Sequence, residues 1–252
     1  MSKISVVIPV YNEKSIIGIT LTKVVTYLND FNPDYEIIVV DDGSLDDTSL
    51  IVEEFSAKEQ KISLVKNSHK GKGFAVRTGV LKSKGDFVLM FDADSSTPIE
   101  ELKRLMVWIT DNSFDIAIAS REGIGAKRKN EPLFRHIMGR VFNTIVRVLL
   151  LPGIMDTQCG FKLFKGDIAR TVFGKSRLYG DLTKETRVPK VTAFDVEILY
   201  LARKMGKSIK AVPVTWEYRS DTRVRSFRDS FVNLGDVLKV KINDLRGLYP
   251  TA

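Results

Sequence analysis

The chain has 252 residues, 44% of them hydrophobic, with a net charge of +8 and a pI near 9.4. That length and apolar content suit one α/β domain, or one domain with a small appendage, and exclude a disordered or low-complexity chain. The basic balance points to partners of negative charge (nucleotide phosphates, anionic lipid headgroups or nucleic acid), and composition does not choose among them.

Residues 4–10, ISVVIPV, form a nearly continuous apolar run, as a strand buried on both faces does. A helical pattern follows over 13–28, then a second buried strand over 36–40 and a helix over 46–58. A short strand at 62–65 leads to a helix over 71–83 that opens with glycines. Another buried strand at 87–91 precedes a helix over 98–109, with Pro98 in its first turn, and a strand at 116–119. Repeated strand–helix units of this kind imply a largely parallel sheet covered by helices on both faces. The second half is less regular. It reads as a long amphipathic helix over 133–151, a strand at 161–164, a polar loop over 176–190, a helix over 194–205, a strand at 209–216 and a final amphipathic helix over 226–245. No internal repeat appears. No stretch reaches the roughly 20 apolar residues of a membrane-spanning helix. No signal-peptide pattern opens the chain. The one cysteine, Cys159, leaves no internal disulfide framework and fits a reducing compartment.

In parallel α/β sheets, ligands bind beyond the carboxyl ends of the strands, and the acidic clusters fall there. The first strand runs into Tyr11-Asn12-Glu13, the second into Asp41-Asp42-Gly43-Ser44, and the fourth into Asp92-Ala93-Asp94. Two carboxylates spaced like Asp92 and Asp94 suit a hard cation, Mg²⁺ or Mn²⁺, that takes few protein ligands and completes its shell with phosphate oxygens. The alternative for Asp94 is a helix cap. Asp42 is open to two readings, a turn residue or a contact to the nucleotide. Lys70-Gly71-Lys72-Gly73 resembles a phosphate cradle at a helix N-terminus. It matches neither the P-loop pattern nor the dinucleotide fingerprint. His69, His136 and Cys159 lack zinc-ligand spacing. No nucleic-acid motif accompanies the positive charge, so nucleic acid is not an expected partner.

The ordered set Ile8-Pro9-Val10-Tyr11-Asn12-Glu13, Val39-Val40-Asp41-Asp42-Gly43-Ser44, Gly71-Lys72-Gly73 and Asp92-Ala93-Asp94 resembles the inverting family 2 glycosyltransferases of GT-A fold. Asp156-Thr157-Gln158-Cys159-Gly160-Phe161-Lys162-Leu163-Phe164 and Phe194-Asp195-Val196-Glu197 look like the corresponding segments of dolichyl-phosphate β-glucosyltransferases and related polyprenyl-phosphate glycosyltransferases. The resemblance implies an α/β, Rossmann-like, mainly parallel sheet flanked by helices, with a GT-A domain over 1–220 and a C-terminal amphipathic helical extension over 221–252. It implies transfer of a hexose, glucose favoured over mannose, from a nucleoside-diphosphate sugar to a polyprenyl phosphate with inversion. It places Pro9, Tyr11, Glu13 and Asp42 on the nucleotide, Asp92 and Asp94 on metal and diphosphate, and Arg121 on the acceptor phosphate; Arg135 and Gln158 are expected beside Arg121. Eukaryotic members of that group carry an N-terminal membrane anchor and several bacterial relatives C-terminal membrane helices; neither pattern is read here.

A lipid phosphate is already ionised near neutral pH, so the obstacle is repulsion between it and the sugar diphosphate. Cations between the two anions relieve it, and arginine suits phosphate best. The segment after the fifth strand supplies Arg121, Lys127, Arg128, Lys129, Arg135 and Arg140. Lys72 and the metal are expected to stabilise the departing diphosphate. Asp195 or Glu197 is expected on the acceptor side, and Asp195 is the better candidate base if the acceptor is a hydroxyl. The 133–151 helix has two readings, core packing or an interfacial helix on a membrane. The expected location is cytoplasmic, peripheral on the membrane face. Two competing activities are a transferase acting on a glycan or glycolipid hydroxyl and a sugar-nucleotide nucleotidyltransferase. The latter usually carries a glycine-rich loop where this chain has Pro-Val-Tyr-Asn-Glu. The sequence does not set the oligomeric state.

Overall fold

The computed structural model describes residues 2–31, 33–180, 183–186, 193–219 and 226–251. The elements in chain order are β1 (Lys3–Val10), α1 (Ile17–Phe31), β2 (Asp34–Asp41), α2 (Thr48–Lys58), β3 (Ile62–Lys66), α3 (Lys72–Lys82), β4 (Phe87–Phe91), α4 (Glu101–Thr110), β5 (Ile116–Ser120), β6 (Lys127–Lys129), α5 (Leu133–Leu149), β7 (Phe161–Lys165), α6 (Gly166–Gly174), α7 (Phe194–Lys204), β8 (Ile209–Pro213), β9 (Thr215–Glu217) and α8 (Ser226–Leu245). Seven strands make one sheet in the order β3-β2-β1-β4-β7-β5-β8, all parallel except β7. This is the mainly parallel α/β architecture expected.

Both faces of the sheet are covered, which is why its strands read as unbroken apolar runs. Ile4, Val6 and Ile8 of β1 point into a core shared with α1, α2 and α4, including Leu21, Val52 and Leu102. Val7, between them, points into the opposite core with Val76 and Val80 of α3, Val172 of α6 and Val196 of α7. Gly79 of α3 sits so close to β1 that a Cβ there would lie 2.4 Å from a Val7 methyl. That contact holds α3, and with it Lys72, tight against the sheet.

The chain builds β1, β2 and β3 outward to one side, then returns to lay β4 on the other flank of β1. The gap beyond the carboxyl ends of β1 and β4 is therefore the topological switch point, where such sheets bind ligands. The strand expected at 161–164 is present as β7, but it runs antiparallel between β4 and β5, with Phe161 opposite Phe91. Its beginning, rather than its end, thus lies at the switch point, bringing residues 156–162 there.

Several sequence expectations are corrected. Pro98 lies ahead of α4, which starts at Glu101, because residues 92–100 form turns around the acidic pair. The strand expected at 209–216 is two strands: β8 joins the main sheet, and β9 leaves it to pair with β6. The basic run Lys127–Lys129 is that β6. Helix α6 was not expected; its short apolar set, Ile168, Ala169, Val172 and Phe173, is buried at helical spacing. The loop expected over 176–190 lies partly outside the described residues, as does the domain boundary expected at 220/221. Helix α8 packs on α5 and α7, and its Val237 and Val240 belong to the core that includes Tyr249.

Candidate active site

The carboxyl ends of β1 and β2 are stapled together by short polar residues. The Asn12 N–H donates to Ser44 Oγ at 2.8 Å, the Leu45 N–H to Asn12 Oδ1 at 2.6 Å, and the Glu13 N–H to Thr48 Oγ1 at 2.7 Å. Asn12 takes a left-handed φ of 53°, which asparagine tolerates better than most residues. Pro9 is the next-to-last residue of β1, opposite Val40. The Tyr11 ring stacks on His69 with centroids 3.9 Å apart and planes within 4°.

Asp42 is buried and organises the next loop. Its carboxylate accepts from His69 Nδ1 at 2.7 Å, from the Lys70 N–H at 3.0 Å and from the Gly71 N–H at 2.7 Å. The Asp42 carboxylate therefore serves first to shape the turn that presents Lys72. Asp46, in turn, accepts from the Thr48 N–H at 3.0 Å just ahead of α2, whose N-cap position is Asp47.

Gly71 precedes α3 with φ +99°, where a side chain would be strained. Gly73 lies against the Tyr179 ring and Phe194 Cβ, with no room for a Cβ. Lys72, between them, reaches the carboxylate of Asp92: its Nζ is 2.7 Å from Oδ1 and 2.8 Å from Oδ2. Burial works against its charge, but Asp92, then Asp195 and Asp94, more than offset that and raise its pKa. Asp92 is held from behind by Gly160: its N–H donates to Gly160 O at 3.2 Å, and a Cβ on Gly160 would fall 1.8 Å from Asp92 Oδ2. Asp94 accepts from the Ser96 N–H at 2.9 Å and does not cap α4. Burial first, then the neighbouring Asp92 charge, raise its pKa. Two adjacent carboxylates that repel in a half-buried turn, one already holding a cation, fit the kind of donor set that a Mg²⁺ or Mn²⁺ ion uses when it takes its remaining ligands from phosphate and water. Among the described residues no group of three or more His, Cys, Asp or Glu side chains could hold a metal alone. The residues present fit a metal shared with a substrate.

Behind this pair, Asp195 at the start of α7 is ion-paired with Lys162 of β7, both buried. The Lys162 Nζ also donates to Cys159 O at 2.6 Å. Glu197, two residues on, faces the other way. It accepts from the Arg177 N–H at 2.8 Å, the Leu178 N–H at 3.1 Å and the Tyr249 hydroxyl at 2.7 Å. Of the two acids expected on the acceptor side, Asp195 adjoins the Lys72 cluster, whereas Glu197 fastens the C-terminal tail.

Arg121, at the end of β5, is gripped by Asp156, which has no exposed surface. Asp156 accepts from the Arg121 N–H at 2.9 Å, from Nε at 2.8 Å and from Nη2 at 2.8 Å, and from the Gln158 N–H at 3.2 Å. Burial opposes the Asp156 charge, but Arg121 outweighs it and holds the carboxyl far below the ordinary range. The guanidinium also lies 5.3 Å from the Trp216 ring, so Trp216 is a buried support rather than an exposed platform. Arg135 stands 5.0 Å from the Tyr218 ring, on α5. Cys159 is packed, its thiol pushed up to about 11 by burial, which suits a structural residue and not a nucleophile.

The structure therefore assembles Tyr11, Asp42, Lys72, Asp92, Asp94, Asp195, Arg121 and Gln158 around the switch point. It adds four residues to which sequence reasoning assigned no role in the site: His69, Asp156, Gly160 and Lys162. Lys162 carried a signal, a charge inside the apolar run of β7. His69 carried none, since its roles depend on Tyr11 and Asp42, which are distant in sequence.

Residues 5–173 match the family described as Glycosyl transferase family 2. The chain is 34% identical to dolichyl-phosphate beta-glucosyltransferase of Dictyostelium discoideum over 262 residues, covering 98% of this chain and 76% of that protein. It is also 34% identical to the Homo sapiens protein of the same name, covering 98% and 77%. Among solved structures, mannosyl-3-phosphoglycerate synthase from Rubrobacter xylanophilus superposes with a TM-score of 0.67 at 18% identity, over 98% of this chain and 74% of that one. Glucosyl-3-phosphoglycerate synthase from Mycobacterium tuberculosis, in complex with Mn²⁺, UDP-glucose and phosphoglyceric acid, does so with a TM-score of 0.61 at 19% identity, over 100% and 82%.

Proposed function

The chain belongs to glycosyl transferase family 2, and from that premise we propose that it is a hexosyltransferase that moves glucose from UDP-glucose to a dolichyl-type polyprenyl phosphate with inversion. The observation that carries this reading is the near-full-length similarity to dolichyl-phosphate beta-glucosyltransferases. The geometry explains how such a reaction would proceed. Tyr11, with His69 stacked on it, and Pro9, Glu13 and Asp42 line the nucleotide end. Asp92 and Asp94 would hold a divalent cation, Mg²⁺ or Mn²⁺, which neutralises charge on the diphosphate when bound. Lys72 adds a second positive charge at the leaving group.

The acceptor side is basic, and among the described residues around it the acids Asp156 and Asp195 are both committed to cations. The Arg121 guanidinium gives Nε and Nη2 to Asp156, and its Nη1 amino group is the part left for an acceptor phosphate. Arg135 and Gln158 flank it. Asp195, the candidate base for a hydroxyl acceptor, is already committed to Lys162. A nucleophile that is ionised before it binds needs no base, so this arrangement favours a phosphate over a hydroxyl.

A lipid acceptor requires a membrane surface, and α5 supplies a candidate. Leu133, Phe134, Ile137, Val141 and Val148 lie on its outward face, Leu133 and Val148 about three-quarters exposed, while Phe142 and Val146 turn to the core. Arg140 and Arg147 edge that apolar stripe. An outward apolar stripe with basic margins is the pattern of an interfacial helix. No helix among the described residues is long and apolar enough to cross a membrane.

Purified protein incubated with a short polyprenyl phosphate, Mg²⁺ or Mn²⁺, and UDP-glucose or GDP-mannose in separate tubes tests the reading. Glucose passing into the organic phase from UDP-glucose, lost in Asp94→Ala, is the expected result. Metal-dependent release of nucleoside diphosphate with no lipid product from either donor would overturn the phosphate acceptor.

A further inference from the structure

Lys72 sits where the reading above needs a metal. Its ammonium spans both oxygens of Asp92 at 2.7 and 2.8 Å, with Asp94 also within its field. The neighbouring charges are otherwise closed: Asp195 is neutralised by buried Lys162, and Asp156 by Arg121. The one exchangeable ion pair in this cluster of described residues is Lys72 with Asp92. Its two partners differ in freedom. Asp92 has a short side chain, its N–H is bonded to Gly160 O and Gly160 packs behind its carboxylate, so in the wild type that carboxylate stays at the head of the cluster. The backbone of Lys72 is equally fixed, by Gly73 against Tyr179 and Phe194, but its side chain is 39% exposed and can swing. A divalent cation and an ammonium cannot share one carboxylate without strong repulsion at that distance. An arriving diphosphate offers the ammonium a new anion at the N-terminus of α3.

We propose that Lys72 is a stand-in cation for the donor site: it holds the Asp92 carboxylate in the nucleotide-free protein and yields it to the divalent metal when a nucleoside diphosphate draws the side chain away. The exchange rests on the assignment of Asp92 and Asp94 as metal ligands. It makes metal and nucleotide binding mutually reinforcing, because each removes the obstacle to the other. It also keeps the two carboxylates from facing one another uncompensated between turnovers.

The test is direct Mn²⁺ binding, read from the electron paramagnetic resonance of free Mn²⁺, with and without UDP, in the wild type, Lys72→Met, Lys72→Arg and Asp94→Ala. Circular dichroism confirms that each is folded. The wild type is expected to bind Mn²⁺ weakly alone and more tightly with UDP. Lys72→Met should bind Mn²⁺ without nucleotide roughly 5- to 20-fold more tightly than the wild type, within the usual span of coupling between sites, and should lose most of the enhancement by UDP. Lys72→Arg, which keeps the charge, should follow the wild type. Nucleotide-free binding by Lys72→Met that is no tighter than wild type, while UDP-dependent binding persists in the wild type and disappears in Asp94→Ala, overturns the exchange and leaves the metal site standing. Absence of Mn²⁺ binding in every form, with or without UDP, overturns both.

Discussion

Replacing Gly160 by alanine is the sharpest perturbation the site offers. The new Cβ would stand 1.8 Å from Asp92 Oδ2, 2.1 Å from Cγ and 2.5 Å from Oδ1, against the 3.0 Å that real Cβ contacts respect. The backbone cannot yield, since Gly160 adjoins β7, which is paired with β4 on one side and β5 on the other. The Asp92 carboxylate must move instead, by about 1 Å or more, and in moving it leaves Lys72. A misplacement of that size in a catalytic group costs on the order of 100-fold in rate. The side chain of Asp92 is only partly buried, so it can turn toward solvent and the fold should tolerate the change. A loss of about 1 kcal/mol corresponds to roughly 2–4 °C in a chain of this size. The assay is kcat/KM for UDP-glucose, alongside a thermal melt. A folded Gly160→Ala protein whose kcat/KM stays within about threefold of wild type would refute the claim that Gly160 exists to seat Asp92.

Asp156→Asn strands Arg121 in a mostly buried position, and breaking one partner of such a pair costs about 3–5 kcal/mol, a fall in melting temperature on the order of 10 °C. Because the Asp156 pKa is depressed in the folded state, its contribution is complete above the unfolded value of about 3.9 and fades only as pH falls below that. The deficit of the variant should therefore be constant from pH 5 to 8 and shrink only in acid; melts that converge near neutrality would contradict this. Gly139→Ala on α5 and Gly235→Ala on α8 meet no atom within 4 Å, and each should stabilise by about 0.4–1 kcal/mol in denaturant titrations. Tyr249→Phe removes the hydroxyl that donates to Glu197 and should cost about 1 kcal/mol, again by denaturant titration. Ile137→Glu with Val141→Glu places two charges on the outward stripe of α5; cosedimentation with anionic vesicles should drop sharply while release of UDP from UDP-glucose in the absence of vesicles is unchanged.

The sequence by itself determined the parallel α/β class, because strands buried on both faces must be apolar throughout and the helices between them must carry a stripe. It also located the candidate site, since Asp42, Asp92, Asp94 and the Gly71-Lys72-Gly73 turn all stand at strand ends or helix starts. What it left open was decided by strand direction and by contacts between residues far apart in the chain. Only the antiparallel insertion of β7 brings Gly160 under Asp92 and Lys162 against Asp195, and no periodicity records the direction of a strand. Asp195 and Glu197, two positions apart on one helix and alike in sequence, were separated by which side of α7 faces the site. The apolar positions of α5 were legible as a stripe, but whether that stripe met the core or the solvent depended on where α8 and the sheet had already filled the interior. Asp42 read from sequence as either a turn residue or a nucleotide contact, and its place as the acceptor on which His69, Lys70 and Gly71 close depends on packing between distant segments. Local propensity fixes elements. The partners of a charge are fixed only when distant segments are packed together and each buried carboxylate must find its donors.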